Sequence, residues 1–141
     1  MRLPEPEPGL VIRYDYLWNR DAEAGRKSGK ERPACLVAAL DSDADPRFVV
    51  VLPITHSRPR DGVKGIEIPA RVCEHLGLDA DRSWVIVSEF NVDDWPNAGL
   101  APVPGRTKKF SYGFLPPGLF ARVKVAFLDV HARGKSRQVR R

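Results

Sequence analysis

The sequence predicts a mostly β protein, a small antiparallel β-barrel with a short helix and a C-terminal helix, and three observations carry that prediction. Apolar, β-branched residues come in short runs with partial alternation, turn-forming residues separate the runs, and a single strong helical stripe lies near the end. Strands that follow one another without helix-sized crossovers pair as antiparallel neighbours rather than as a parallel sheet. With 141 residues, 43% of them hydrophobic, the chain has the size of one domain that buries its own core.

Taken in order, Pro4, Pro6 and Pro8 hold residues 1–8 extended, and a single domain is expected over residues 9–133. Residues 10–18 are rich in β-branched and aromatic types and form a first strand. Residues 19–31 contain Gly25 and Gly29, several basic side chains and no large apolar one, which reads as a long polar loop of the kind that serves as a lid or binding loop. Two apolar runs, 34–40 and 48–54, flank the turn formers at 41–46 and read as a buried hairpin. Residues 63–68 alternate as a strand with one wet face, Pro69 opens a helix over 70–76, and Gly77 stops it.

Residues 83–90 are expected as one strand, with Trp84, Ile86 and Ser88 on one face and Val85, Val87 and Glu89 on the other. The proline- and glycine-rich stretch 91–118 reads as loops with one short strand. Over 117–133, Leu119, Val123, Ala126, Phe127 and Val130 lay one apolar stripe along a helix that ends at Gly134. Residues 134–141 are basic and nearly free of apolar side chains, and so read as a solvated, disordered tail.

Composition excludes several functional classes. No apolar run approaches the roughly 20 residues that cross a bilayer, and the opening residues lack the apolar core of a secretory signal, so a cytoplasmic protein without membrane contact is expected. Cys35 and Cys73 lie in apolar segments and read as buried thiols. His56, His75 and His131 share no metal-ligand spacing, and neither a metal nor another cofactor is expected. A net charge of +5 concentrates polyanions near the surface without identifying nucleic acid.

Three segments narrow the reading: Gly9-Leu-Val-Ile-Arg-Tyr-Asp-Tyr16, Arg32-Pro33-Ala-Cys-Leu-Val37 and Val50-Val-Leu-Pro-Ile-Thr55. In this order and at this spacing they resemble the MazF/PemK toxins of type II toxin–antitoxin systems. The similarity covers residues 9–55 and weakens afterwards, although the strand and helix at 62–77 and the C-terminal helix fall where such a toxin has them. The resemblance implies an SH3-like barrel, a homodimer with an RNA groove along its interface, a cognate antitoxin, and cleavage of single-stranded RNA without a metal.

Such cleavage makes the 2′-hydroxyl the nucleophile. A base must take its proton, donors must stabilise the phosphoryl oxygens, and the 5′-oxygen must be helped to leave. Arg32 suits the clamp, because a guanidinium offers a planar fork of donors and stays protonated. Thr55 matches the family's active-site threonine, with a hydroxyl able to reach the phosphate. Where many members carry an acid followed by an arginine, this chain reads Ser88-Glu-Phe-Asn-Val-Asp-Asp-Trp95, keeping the acid as Glu89 and lacking the arginine. His56 beside Thr55 is a second candidate for proton transfer.

For RNA contact, Arg26, Lys27 and Lys30 of the polar loop, Arg58, Asn91 and Trp95 are the candidates. Trp95, Phe110 and Tyr112, close to Arg106, Lys108 and Lys109, suit base stacking beside a cationic track. The loop at 20–30 suits covering the RNA or receiving an acidic antitoxin segment. Two other classes compete: a non-catalytic binding module on the same barrel, favoured by the missing arginine, and a CcdB-like toxin that poisons gyrase by protein contact.

Overall fold

A computed structural model describes residues 3–40, 47–78, 82–97, 99–106 and 108–141. Among them are nine strands and three helices: β1 (Leu10–Tyr16), α1 (Asn19–Glu23), β2 (Lys30–Leu40), β3 (Arg47–Thr55), β4 (Gly65–Ile68), α2 (Ala70–Leu76), β5 (Ser83–Ile86), β6 (Glu89–Trp95), β7 (Leu100–Ala101), β8 (Ser111–Phe114), α3 (Pro117–Ala132) and β9 (Arg137–Arg140). The fold is mostly β with helices, as expected. The turn predicted at 41–46 lies outside the described residues.

The sheet runs β4-β5-β3-β2-β1-β7, with β6 on the lower part of β3 and β8 beside β7 along β1. Every pairing is antiparallel except that of β6 with β9. Backbone pairing does not close the sheet into a barrel. Side chains reach across instead: the Tyr14 hydroxyl donates to Asp93 Oδ2 at 2.7 Å, that of Tyr16 donates to Glu89 Oε2 at 3.0 Å, and the Asn91 amide bonds both the N–H and the carbonyl of Leu17. These bonds join β1 to β6 although β2 and β3 lie between them in the sheet, so the sheet must curl.

Alternation along the strands builds two cores, since successive side chains point to opposite faces. Leu10, Ile12, Tyr14 and Tyr16 join Ala34, Leu36, Val49, Val51, Trp84, Ile86 and Trp95 in one. Val11, Cys35, Leu52, Ile54 and Val85 face the other, where Cys73 and Leu76 of α2 and Leu119, Val123, Phe127 and Val130 of α3 cover them. Gly77 takes the left-handed conformation (φ +74°) that ends α2, as its position predicted.

Several expectations need correction. The strand expected at 83–90 is interrupted at Val87 and Ser88, and β6 carries it on to Trp95. The loop expected at 19–31 is shorter, because α1 takes its first five residues and β2 begins at Lys30. Gly29 in it is required by space, since a Cβ there would lie 1.9 Å from the Tyr16 carbonyl oxygen. Residues 91–118 carry the greater part of β6, with β7 and β8, rather than one short strand.

The expected disordered tail is ordered. Residues 137–140 form β9 along β6, with Val139 buried at 6% exposure. Arg141 enters a notch in which its guanidinium bonds Tyr14 Oη, Asn91 Oδ1, both the carbonyl and the carboxylate of Asp15, and the Lys27 carbonyl. Composition misleads here because an edge strand needs only one apolar anchor. The remaining cost of ordering is offset by paired charge.

Candidate active site

Arg32 and Thr55, 23 residues apart, meet because β2 and β3 form a hairpin. The register pairs Ala34 with Pro53, and carrying it two residues further sets Arg32 beside Thr55 at the end of the sheet. Arg32 is also held by its pairing with Tyr14 of β1, and Thr55 by its pairing with Trp84 of β5. With His56 they stand between two concavities. One, of about 540 Å³, is further lined by Arg13, Lys30, Glu31 and Ser83. The other, of about 480 Å³, is lined by Trp18, Arg20, Arg58, Arg60 and Glu89.

The Arg32 side chain is half-buried and makes no hydrogen bond or ion pair among the described residues, and its Nε is buried without an acceptor. Its guanidinium packs on Trp18, whose ring also carries Arg20. Burial first, then the positive charges of Arg20 and Arg13, lower its pKa from the usual arginine value. Arginine starts so high that the group stays charged at neutral pH. The Asp21 carboxylate acts on its charge from a distance, and no carboxylate among the described residues is in ion-pair contact with it, so this desolvated donor fork is arranged to receive an anion.

Glu89 opens β6 and lines the second concavity together with Arg32, Thr55 and His56. Its Oε2 accepts from the Asn19 backbone N–H at 2.9 Å and from the Tyr16 hydroxyl. Burial raises its pKa above the usual glutamate value, although those two bonds and the charges of Arg20 and Arg137 pull the other way. A carboxylate with a raised pKa beside a cation-lined groove has the properties of a general base. Thr55 Oγ1 accepts from the Ser57 N–H at 3.1 Å, which leaves its own proton to donate. His56 is exposed.

Of the predicted RNA contacts, Lys30 and Arg58 lie exposed on the walls of the two concavities. Arg26 and Lys27 are exposed on the segment between α1 and β2 and line neither. Asn91 and Trp95 are not surface contacts. Asn91 has 0% exposure and spends its amide on Leu17, while Trp95 has 5% and packs in the core. Glu89 and Asn91 do share a face, but that face points into the curl of the sheet. Among the other aromatic candidates, Tyr112 is half-buried and accepts a bond from Arg13, and Phe110 is half-buried.

Sequence reasoning missed Trp18, Arg20, Arg13 and Arg60. A signal existed for Trp18, because Tyr14, Tyr16 and Trp18 stand at alternate positions and so line one face. For Arg20 the misread loop hid a helix. Burial pushes the Cys35 thiol up to about 12, so it is no nucleophile at neutral pH. No group of three or more His, Cys, Asp or Glu among the described residues is placed to hold a metal ion. No helix among them is long and apolar enough to cross a membrane. No model of a known protein family matches the chain, and a comparison with curated proteins gives no match.

Proposed function

We propose that the protein is an endoribonuclease that cuts single-stranded RNA by 2′-hydroxyl attack without a metal, acting as the toxin of a type II toxin–antitoxin pair. The observation that carries this reading is the Arg32 guanidinium, which has no hydrogen-bond acceptor or ion-pair partner among the described residues and lies among Thr55, His56 and Glu89 at the junction of two cation-lined concavities. The Glu89 carboxylate takes the 2′-hydroxyl proton as that oxygen bonds to phosphorus. Arg32 and the Thr55 hydroxyl stabilise the charge on the phosphoryl oxygens. The bond from phosphorus to the 5′-oxygen breaks, His56 protonates that oxygen, and the products are a 2′,3′-cyclic phosphate and a 5′-hydroxyl. Arg20 supplies a second guanidinium where the family's arginine is missing from β6.

A cognate antitoxin, a homodimeric assembly and a cytoplasmic setting belong to the same proposal and are supported by the resemblance of residues 9–55. The test is to incubate the purified protein in EDTA with a long mixed-sequence RNA and to map the ends produced. Fragments with cyclic phosphate ends, absent with Arg32→Ala, are expected. RNA that is bound but never cut would favour the non-catalytic binding module instead.

A further inference from the structure

Arg13 is a strand residue that should be easy to satisfy, yet it is not. Its Nη1 donates to the Tyr112 hydroxyl at 3.2 Å, its Nε is buried with no acceptor, and no carboxylate bridges it among the described residues. Arg32 has the same defect, and both residues border the cleft of about 540 Å³. Glu31, the only carboxylate on that cleft's described lining, makes no ion pair with either arginine, and Lys30 adds a third cation. The charge of Arg13 acts on Arg32 and helps lower its pKa, so the two half-buried cations repel each other, and each orphaned donor costs about 1–3 kcal/mol. The arrangement is costly for stability and suited to an anion with more than one charged group. The cleft lies within the range of about 300–1,000 Å³ typical of ligand pockets, larger than one phosphate requires.

We infer that Arg13 is a second phosphate-binding residue, holding the backbone phosphate next to the one held by Arg32, so that the cleft grips two linked phosphates of a single strand. The Tyr112 hydroxyl accepts from Arg13, which orients the guanidinium and leaves the phenolic proton available. The inference rests on the nucleic-acid reading of the site. It assigns to this cleft the positioning of the strand, and to the groove holding Glu89 the proton transfer.

The test is binding, which does not depend on cleavage. A mixed-sequence single-stranded DNA 12-mer lacks the 2′-hydroxyl and survives the assay. Its Kd is measured against NaCl concentration for the wild type, Arg13→Gln and Arg32→Gln. Each arginine that neutralises a phosphate contributes about 0.7 to the slope of log K against log salt on a single strand. Arg13→Gln is therefore expected to lower the slope by about 0.7, and an unchanged slope overturns the inference. In the wild-type protein, the Nε–Hε signals of Arg13 and Arg32, assigned with Arg13→Lys, should shift on adding the 12-mer. This readout holds even if Arg13→Gln fails to fold, and an unmoved Arg13 signal counts against the site.

Inorganic phosphate at matched ionic strength separates a linked backbone from a free ion. Phosphate that displaces the 12-mer from the wild type but not from Arg13→Gln would reassign Arg13 to free phosphate and overturn the linked pair. Normal binding with a reduced Arg13→Gln slope but no RNA cleavage would sink the enzyme reading and leave this one standing. Cleavage with an unchanged Arg13→Gln slope would sink this one alone.

Discussion

The guanidinium carbon of Arg32 lies 5.2 Å from the centre of the Trp18 ring. That contact replaces the carboxylate that would ordinarily hold a half-buried arginine, and it fixes the fork without neutralising it. Arg20 lies 5.1 Å from the same ring, so Trp18 organises both cations. Trp18→Phe keeps an aromatic face but weakens the attraction. The proposed RNA cleavage should slow several-fold, corresponding to about 0.5–1 kcal/mol of lost positioning, mainly in kcat. Equal kinetics for Trp18→Phe and wild type would remove the ring from the mechanism.

Arg32→Met is expected to separate activity from stability. Loss of a donor to the phosphoryl oxygens should lower cleavage by about 10²–10³-fold. Thermal denaturation should show a midpoint equal to or above that of the wild type, because the variant removes an orphaned donor and relieves the repulsion with Arg13 and Arg20. A large fall in midpoint would mean that Arg32 is structural.

Glu89 links pH to both rate and stability. Its folded-state pKa is raised, so the folded protein binds this proton more tightly than the unfolded chain does. The corresponding stability is present below the ordinary glutamate pKa and is lost as pH rises through the raised one. Glu89→Gln should therefore be at least as stable as the wild type at pH 7, with its advantage shrinking on acidification. As the base must be ionised, the wild-type cleavage rate should rise with pH over that same window, and Glu89→Gln should lose the rise. Denaturation at pH 4 and pH 7, together with a pH–rate profile, checks both.

The proposed acid has its own signature. His56→Ala should slow cleavage by about 10²–10⁴-fold, the usual contribution of a positioned proton donor, while leaving the rise with pH that belongs to Glu89. A cleavage rate equal to that of the wild type would exclude His56 from proton transfer.

Arg141→Ala should destabilise the fold by about 2–3 kcal/mol in urea denaturation. The Arg141 and Asp15 side chains are only 12% and 21% exposed and lie 3.3 Å apart, so their pair falls between a solvent-screened surface pair and a fully buried one. A change below about 0.5 kcal/mol would mean the notch contributes nothing measurable.

What the sequence made legible follows from how local each signal is. The helix at Ala70–Leu76 was readable because Pro69 and Gly77 punctuate it, and the hairpin of β2 and β3 because apolar runs bracket turn formers. That hairpin is also why Arg32 and Thr55 could be paired from sequence. Asn91 and Trp95 were misplaced because only the long-range bonds from β1 to β6 decide which way β6 faces. Arg13 gave no local sign of its isolation, since an arginine in a half-wet strand normally finds water or a carboxylate.

The parallel pairing of β9 with β6 has a consequence for the protein in a crowded cell. Without it, β6 would offer its outer row of backbone donors and acceptors, next to Phe90 and Val92, as a template for strands of neighbouring chains. With it, the outermost strand carries exposed Arg137, Gln138 and Arg140. A second copy adding there would bring arginines close to arginines. The residues that composition marks as a loose basic end thus cover a strand edge that would otherwise stand open to pairing.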